Sequence, residues 1–304
     1  MDQQPSTSVI IVVKNGAPHI GRQLDALARQ VDAPTFEVII SDNGSTDGTR
    51  DVVHRWAAEQ RPAFELRVVD AGAKPGISFA KNTAARVAKG SVFAFCDSDD
   101  EVSERWVSIA HSSITPTVDA VGGRAVVAEG SGRDQLPEGL WSFGYLPFAL
   151  GGSFAVSREA YFDIGGFDES LPPYGFEDVD VSWRIQEAGY ALAYEHDLWI
   201  TFIPTPRSRV VRKEFLSSKA RVALAQRHPH FVDRPYSLGY CVRDLATHAA
   251  LLPIRLLRPR HSRIREVKWL VDSAGRLAGY WHYYTLKRDS LPVLLREPQL
   301  GEAI

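Results

Sequence analysis

The chain has 304 residues and a mass of 33.7 kDa, enough to bury a sizeable core as one large domain or two modest ones. With 44% hydrophobic and 24% charged residues it reads as globular, which excludes disorder as a whole. The net charge of −2 conceals an asymmetry, 16 Lys+Arg against 29 Asp+Glu through Ile203 and 19 against 8 from Pro204 onward, so two segments with different partners are expected.

The first apolar run, SVIIVV (8–13), is continuous rather than alternating, as expected for a strand covered on both faces of a parallel sheet. HIGRQLDALARQ (19–30) follows with Ile20, Leu24, Leu27 and Ala28 at helical spacing. FEVIISD (36–42) reads as a second strand, and GSTDGTRDVVHRWAAEQ (44–60) as a helix preceded by Ser and Asp capping residues. FELRVVD (64–70) is a third strand, GISFAKNTAARVAKG (76–90) a helix closed by Gly90, and SVFAFCD (91–97) a fourth strand. Strand and helix alternate four times with short links, which predicts an open, mainly parallel α/β sheet flanked by helices.

Ligands of such sheets bind beyond the carboxyl ends of the strands. SDNGS (41–45) and CDSDD (96–100) are both acidic turns at strand ends, so Asp42 and Asp97 are expected to face one crevice. After Val102 the chain predicts a helix near 103–113, a strand near 118–129 and a long Gly-, Pro- and aromatic-rich loop of the kind that is usually functional. From about residue 214 the pattern turns helical and basic.

Asp97, Asp99 and Asp100 end an apolar run. Hard divalent cations take carboxylate oxygens and complete their shell with water and phosphates, so the triplet suits a metal–diphosphate complex. A solvated turn with Asp99 or Asp100 capping the helix near Ser103 accounts for it equally. A second cluster, Glu177, Asp178 and Asp180, precedes Val181, Ile185 and Ala188 at helical spacing. Complementing the helix dipole is one role for these carboxylates; general-base activation of a hydroxyl at the mouth of a cleft is another. Cys96 and Cys241 lack metal-ligand spacing, which predicts neither a disulfide framework nor a zinc site and makes reduced, cytosolic thiols the default. MDQQPSTS at the N-terminus has no basic region followed by an apolar core, and LATHAALLPIRLLRPR falls short of the ~18–20 apolar residues of a spanning helix, so neither a secretory signal nor a span is expected.

The ordered set VIIVVKNG (9–16), VIISDNGSTDGT (38–49), GISFAKNTAARVAKGSVFAFCDSDDEV (76–102), GGSFAVSREAYFDIGGFDES (151–170) and YGFEDVDVSWRIQEAGY (174–190) resembles a family 2 glycosyltransferase of the GT-A fold, over roughly the first two-thirds of the chain. The resemblance implies an inverting enzyme, a hexosyl- or deoxyhexosyltransferase. It would move a sugar from a UDP or dTDP sugar to a glycan, lipid-linked or small-molecule hydroxyl acceptor, in polysaccharide, glycolipid or cell-envelope glycan synthesis. It further implies a GT-A domain over 1–212, with a nucleotide-sugar half about 1–102 and an acceptor half about 103–212, and a helical region over 213–304. Asp42 matches the residue that contacts the nucleobase, Val13 and Asn15 fall in the nucleotide-binding loop, and Lys81 falls near the base and phosphates. Asp97 and Asp99 match the Asp-x-Asp pair, the first toward the ribose and the second on magnesium or manganese. Asp178 matches the catalytic base, with Glu177 on the acceptor side. Apart from the resemblance, the aromatic residues Trp141, Tyr145 and Trp183 are candidates to stack on an acceptor, with core packing the commoner role for each.

Two features depart from the family pattern. The first strand ends VVKN where Pro-Thr-Tyr-Asn is common, which leaves Val13 and Lys14 only backbone contacts. No His occurs in LWITFIPTPRSRV (198–210), where many relatives carry one; His196 lies early, and Arg207 or Arg209 would serve the phosphates instead. Sugar nucleotidyltransfer is the rival enzyme class, but KNGAPHIGR (14–22) fits its Gly-rich, basic loop poorly, and a non-catalytic binder of nucleotide-sugars is the remaining alternative. The basic helices either pack on the core with their charge exposed or meet an anionic membrane or lipid-diphosphate acceptor, for which LLPIRLLRPRHSRIR (251–265) has suitable composition. No nucleic-acid reading motif accompanies the charge. The location expected is cytoplasmic, with peripheral contact at the inner face of the cell membrane.

Overall fold

In a computed structural model, residues 4–129, 134–142, 144–203, 210–231, 234, 236–255 and 260–295 are described, and they are organised around an eight-stranded sheet. β1 (Thr7–Val13), β2 (Phe36–Asp42), β3 (Glu65–Asp70) and β4 (Val92–Asp97) are parallel, joined by α1 (Ile20–Ala28), α2 (Thr49–Gln60) and α3 (Ile77–Val87). The continuous apolar runs have the cause the sequence suggests. Val9, Ile11 and Val13 enter a core with Leu24, Leu27 and Trp56, while Ile10 points to the opposite face with Phe93, Phe95 and Ala84.

The second half adds β5 (Glu101–Val102), α4 (Trp106–Ser112), β6 (Ala120–Val127), β7 (Ser153–Ser157), α5 (Arg158–Asp163), α6 (Glu177–Glu187) and β8 (Leu192–Phe202). Strand order is β3-β2-β1-β4-β7-β6-β8-β5, with β7 antiparallel to both neighbours and β5 antiparallel to β8. This order requires curvature. In a flat sheet β4 and β5 would stand four strand spacings apart, about 19 Å. The chain from Asp97 to Glu101 reaches only about 14 Å. The sheet therefore curls, bringing its β5 edge toward β4 beside the acidic turn.

Two expected helix ends differ. α3 stops at Val87 with extended Ala88 as its cap, and Gly90 answers a packing need instead: a Cβ there would lie 2.6 Å from the Ser8 backbone nitrogen. α4 starts at Trp106 without a side-chain cap, because the Asp100 carboxylate accepts from the Ile203 amide (3.0 Å) and so ties the end of β4 to the end of β8.

The C-terminal region is helical: α7 (Val210–Arg227), α8 (Leu238–Arg255), α9 (Arg260–Tyr280) and a π turn at Trp281–Thr285. Gly275 and Gly279 on α9 let α7 approach closely, since Cβ atoms there would lie 2.5 Å from the Phe215 carbonyl oxygen and 2.8 Å from that of Lys219. α7 joins the sheet domain through Leu224, which packs with Phe231 against Val179 and Trp183 of α6.

Candidate active site

Because β1 to β4 are parallel, their carboxyl ends share one rim, and the register sets Val13 beside Asp42, Asp42 beside Asp70 and Val12 beside Asp97. β7 runs the other way, so the residues before it reach the same rim, with Ser153 paired to Cys96. Gly151 and Gly152 form the floor there. A Cβ on Gly152 would stand 2.9 Å from Asp97 Oδ2, and one on Gly151 would stand 3.2 Å from Asp178 Cβ and 3.3 Å from Lys81 Nζ. The structure thus gathers Asp97, Lys81 and Asp178 around two adjacent residues, with Asp99 exposed beside Asp97 and Glu177 beside Asp178.

Asp178 sits in the first turn of α6, where Phe176 takes the left-handed conformation (φ 57°) that swings the chain into the helix. Its Oδ1 accepts from the Val179 amide (2.9 Å) and its Oδ2 from that of Gly151 (3.4 Å). Burial pushes its pKa up to about 7, neighbouring Glu177 adds to the rise, and Lys81 opposes it. Burial also raises the Asp97 carboxyl, against the pull of Lys81 and with help from Asp99 and Glu177. The Lys81 ammonium, on a side chain 3% exposed, lies 4.5 Å from the Phe167 ring centroid and so approaches both acids over an aromatic face. Asp100 is pushed up to about 8 by burial and by Asp97.

One turn holds both halves of this arrangement. Asn82, next to Lys81, donates to the Phe167 carbonyl (2.8 Å) and to Glu169 (2.9 Å) and accepts from Tyr161 and the Phe167 amide. Arg184 of α6 donates to the carbonyls of Ile164 (2.8 Å) and Gly166 (2.7 Å). Gly165 and Gly166 make the turn possible at positive φ, 77° and 64°. These positioning residues, with Gly151 and Gly152, lie inside the quoted motifs, but the sequence assigns them no role there.

At the nucleotide end, Asn15 (φ 56°) accepts from the Thr46 amide (2.8 Å), and its own amide donates to Ser45 (2.9 Å), locking the loops after β1 and β2 together. Asp42 is buried, and its oxygens accept from the Ser45 amide (2.9 Å) and from Arg50. Burial raises its pKa, but the hydrogen bonds from Ser45 and Arg50 outweigh this and hold it below the usual carboxylate range. The group this rim presents to solvent is therefore Arg50, which also donates to Asp70 (2.9 Å).

Val13 keeps to the backbone role that the VVKN ending leaves it, and one expected contact, that of Trp183, is corrected. The Val13 side chain is buried in the core and its carbonyl accepts from the Asn43 amide (2.9 Å), so it presents no side chain to a ligand. Trp183 is 0% exposed, packed on Val179, Leu224 and Phe231 with its indole N–H donated to the Leu146 carbonyl (2.7 Å), and cannot stack on an acceptor. Tyr145 lies against Trp183 and donates to Glu187 (3.2 Å), and Trp141 pairs with Phe148. His196 is a surface group beside Asp197 and Glu138, and Arg207 and Arg209 lie outside the described residues.

Among the described residues no group of three or more His, Cys, Asp or Glu could hold a metal by itself. The residues present nonetheless fit a hard divalent cation shared with phosphates: Asp97 offers a half-buried carboxylate that no hydrogen bond from a described residue reaches, and Asp99 offers an exposed one.

A curled, mainly parallel sheet with carboxylates and a buried ammonium gathered at the strand ends defines a GT-A-type enzyme. The family description "Glycosyl transferase family 2" matches residues 8–167, more than half of the chain, and the chain belongs to that family; it is a glycosyltransferase. "N-terminal domain of galactosyltransferase" matches residues 144–201. Glycosyltransferase AglE of Haloferax volcanii is 28% identical over 234 residues, covering 72% of this chain and 73% of its own. Mannosyltransferase PcManGT from Pyrobaculum calidifontis, in complex with GDP-Man and Mn2+, superposes with a TM-score of 0.64 at 23% identity over 92% of this chain and 88% of its own. Staphylococcus aureus TarS 1-349, in complex with UDP, gives 0.53 at 17% identity over 93% and 92%. At these identities the superpositions establish the fold alone.

Proposed function

We propose that this chain transfers a sugar from a UDP or dTDP sugar to a hydroxyl acceptor with inversion at the anomeric carbon, in glycan, glycolipid or cell-envelope synthesis. The observation that supports this most directly is the meeting of Asp97, Lys81 and Asp178 over Gly151 and Gly152. The acceptor oxygen attacks the anomeric carbon as the bond from that carbon to the diphosphate oxygen breaks, and the nucleoside diphosphate departs from the opposite face. Asp178 takes the acceptor proton, and a pKa of about 7 suits it to that transfer near neutral pH. Glu177, beside it, hydrogen-bonds the acceptor. Lys81 faces the diphosphate with a fixed positive charge. Asp97 and Asp99 would hold magnesium or manganese, which neutralises charge developing on the leaving diphosphate when bound. Asn15 and Asp42 shape the nucleotide end, Asp42 through Arg50. In this scheme residues 1–102 carry the donor, 103–212 the acceptor, and 213–304 the contact with the membrane. We place the enzyme in the cytoplasm at the inner membrane face, to which the free, buried Cys96 and Cys241 are suited.

The test is nucleotide release from a panel of UDP, dTDP and GDP sugars with magnesium or manganese, run beside Asp178→Asn. Release of UDP or dTDP that the substitution abolishes is expected. Preference for a GDP sugar, the donor type held by PcManGT, would overturn the donor assignment. Release that survives Asp178→Asn would overturn the assigned base.

A further inference from the structure

Of the thirteen large hydrophobic side chains left exposed among the described residues, eleven lie after residue 210, the part of the chain that also carries the basic excess. Along α8 the outward positions are Val242, Ala246, Ala249, Ala250, Pro253 and Ile254. They recur at steps of three and four, opposite Asp244 and His248, which face α9. This stripe runs about 18 Å from Val242 to Ile254. At one end it opens into a groove of ≈ 700 Å³ lined by Leu238, Val242, Trp281 and Leu286. At the other stands Trp269, 40% exposed, with the guanidinium groups of Arg255 and Arg265 at 5.6 and 5.2 Å from its ring centroid.

The cations complete the pattern. Arg243 follows Val242, and Lys287 and Arg288 follow Leu286; all three are exposed, and among the described residues no acidic side chain pairs with them. An apolar stripe flanked by unpaired cations, with tryptophans at its ends, complements a surface whose negative headgroups lie over an apolar layer. We propose that this face docks on an anionic lipid bilayer, with α8 lying in the plane of the interface. No helix among the described residues is long and apolar enough to cross a membrane, so the contact is peripheral. A second copy of the chain is a poorer occupant, because a two-fold interface sets this cationic patch against a copy of itself, and like charges repel.

The proposal does not rest on the sugar-transfer reading, and its test uses neither donor nor acceptor. The full chain is floated with vesicles of phosphatidylcholine alone and of an equal mixture with phosphatidylglycerol, at low and high salt. Binding to the mixed vesicles only, weakened by salt, is expected, with a loss of about fivefold for each of Arg243→Glu, Lys287→Glu and Arg288→Glu. Ile254→Ser, at a side chain 66% exposed and so free of packing cost, should weaken binding at both salt concentrations. Far-ultraviolet circular dichroism and an unchanged thermal unfolding transition of the same variants report that they are folded. No binding, equal binding to neutral vesicles, binding unchanged in all four variants, or a dimer that Ile254→Ser dissociates would each overturn the proposal.

Discussion

A carboxyl group that titrates near neutral pH is divided between acid and base under working conditions, so its immediate neighbours decide how much base is present. Asp178 is such a group: burial and Glu177 raise its pKa to about 7, while the Lys81 ammonium pulls the other way. Activity should therefore rise with pH along an acidic limb centred near 7, measured as kcat against pH with donor and acceptor saturating. Asp178→Asn should lower kcat by about 10²–10⁴ with little change in donor KM, because the lost interaction is made only in the transition state. Lys81→Met has a definite sign. Removing a cation disfavours the ionised carboxylate, so the acidic limb should move to higher pH and kcat near neutrality should fall. A limb that stays in place in Lys81→Met would separate Lys81 from the base and leave it a role toward the donor alone.

At the scale of the elements, what orients Asp178 is the fastening of α6 on two sides, to the glycine turn through Arg184 and to α7 through His228. His228 is 1% exposed, with Nε2 3.1 Å from Asp180 and Nδ1 2.9 Å from Glu187, an arrangement an imidazole satisfies as a double donor only when protonated. Burial alone would lower its pKa, but the two carboxylates raise it above 6.5. Asp180 moves the opposite way: burial raises it, yet Arg184 and His228 hold it down to about 2. A raised histidine contributes stability that is complete below about 6.5 and lost as pH climbs through its folded value. A depressed aspartate contributes above about 3.8 and loses its contribution as pH falls toward 2. The clamp is thus strongest between about pH 4 and 6.5. His228→Gln should cost about 3–5 kcal/mol in urea unfolding near pH 6, and the difference from the parent should shrink as pH rises; a constant difference would deny the charged clamp. The helix crossing of α7 and α9 has its own test. Gly279→Leu drives a side chain toward the Lys219 carbonyl and should destabilise by about 1–3 kcal/mol, while an exposed control such as Ala246→Leu should not. The Asp178 side of α6 was legible in the sequence through Val181 and Ile185, but the helix carries a second apolar stripe. Val179 and Trp183 face α7, a partner some forty residues downstream that no local pattern announces.

Over the whole molecule the same contrast recurs. The alternation through Asp97 is legible because strands buried on both faces write continuous apolar runs, and the common rim of Asp42 and Asp97 follows from parallel register. The insertion of β7 is not, since SFAVS is short and its place beside β4 is fixed by pairings such as Cys96 with Ser153, between residues far apart in the chain. Sequence likewise points to a change after Ile203, where acidic gives way to basic, and composition alone would let the two parts unfold separately. The packing argues otherwise. Trp183 has Leu224 and Phe231 as core neighbours, Arg227 pairs with buried Asp168 at 2.7 Å, and His228 is enclosed by carboxylates of α6, so opening the C-terminal helices would strip cover from a buried indole and from several charges together. Thermal or urea unfolding should therefore follow one transition, coincident by tryptophan fluorescence and far-ultraviolet circular dichroism, with equal calorimetric and van't Hoff enthalpies. Trp183→Ala should lower stability by about 3–5 kcal/mol without splitting that transition. If the parent chain instead shows two transitions, with helical signal lost before tryptophan emission shifts, the C-terminal helices are a separate unit and the clamp at His228 does not carry the coupling assigned to it.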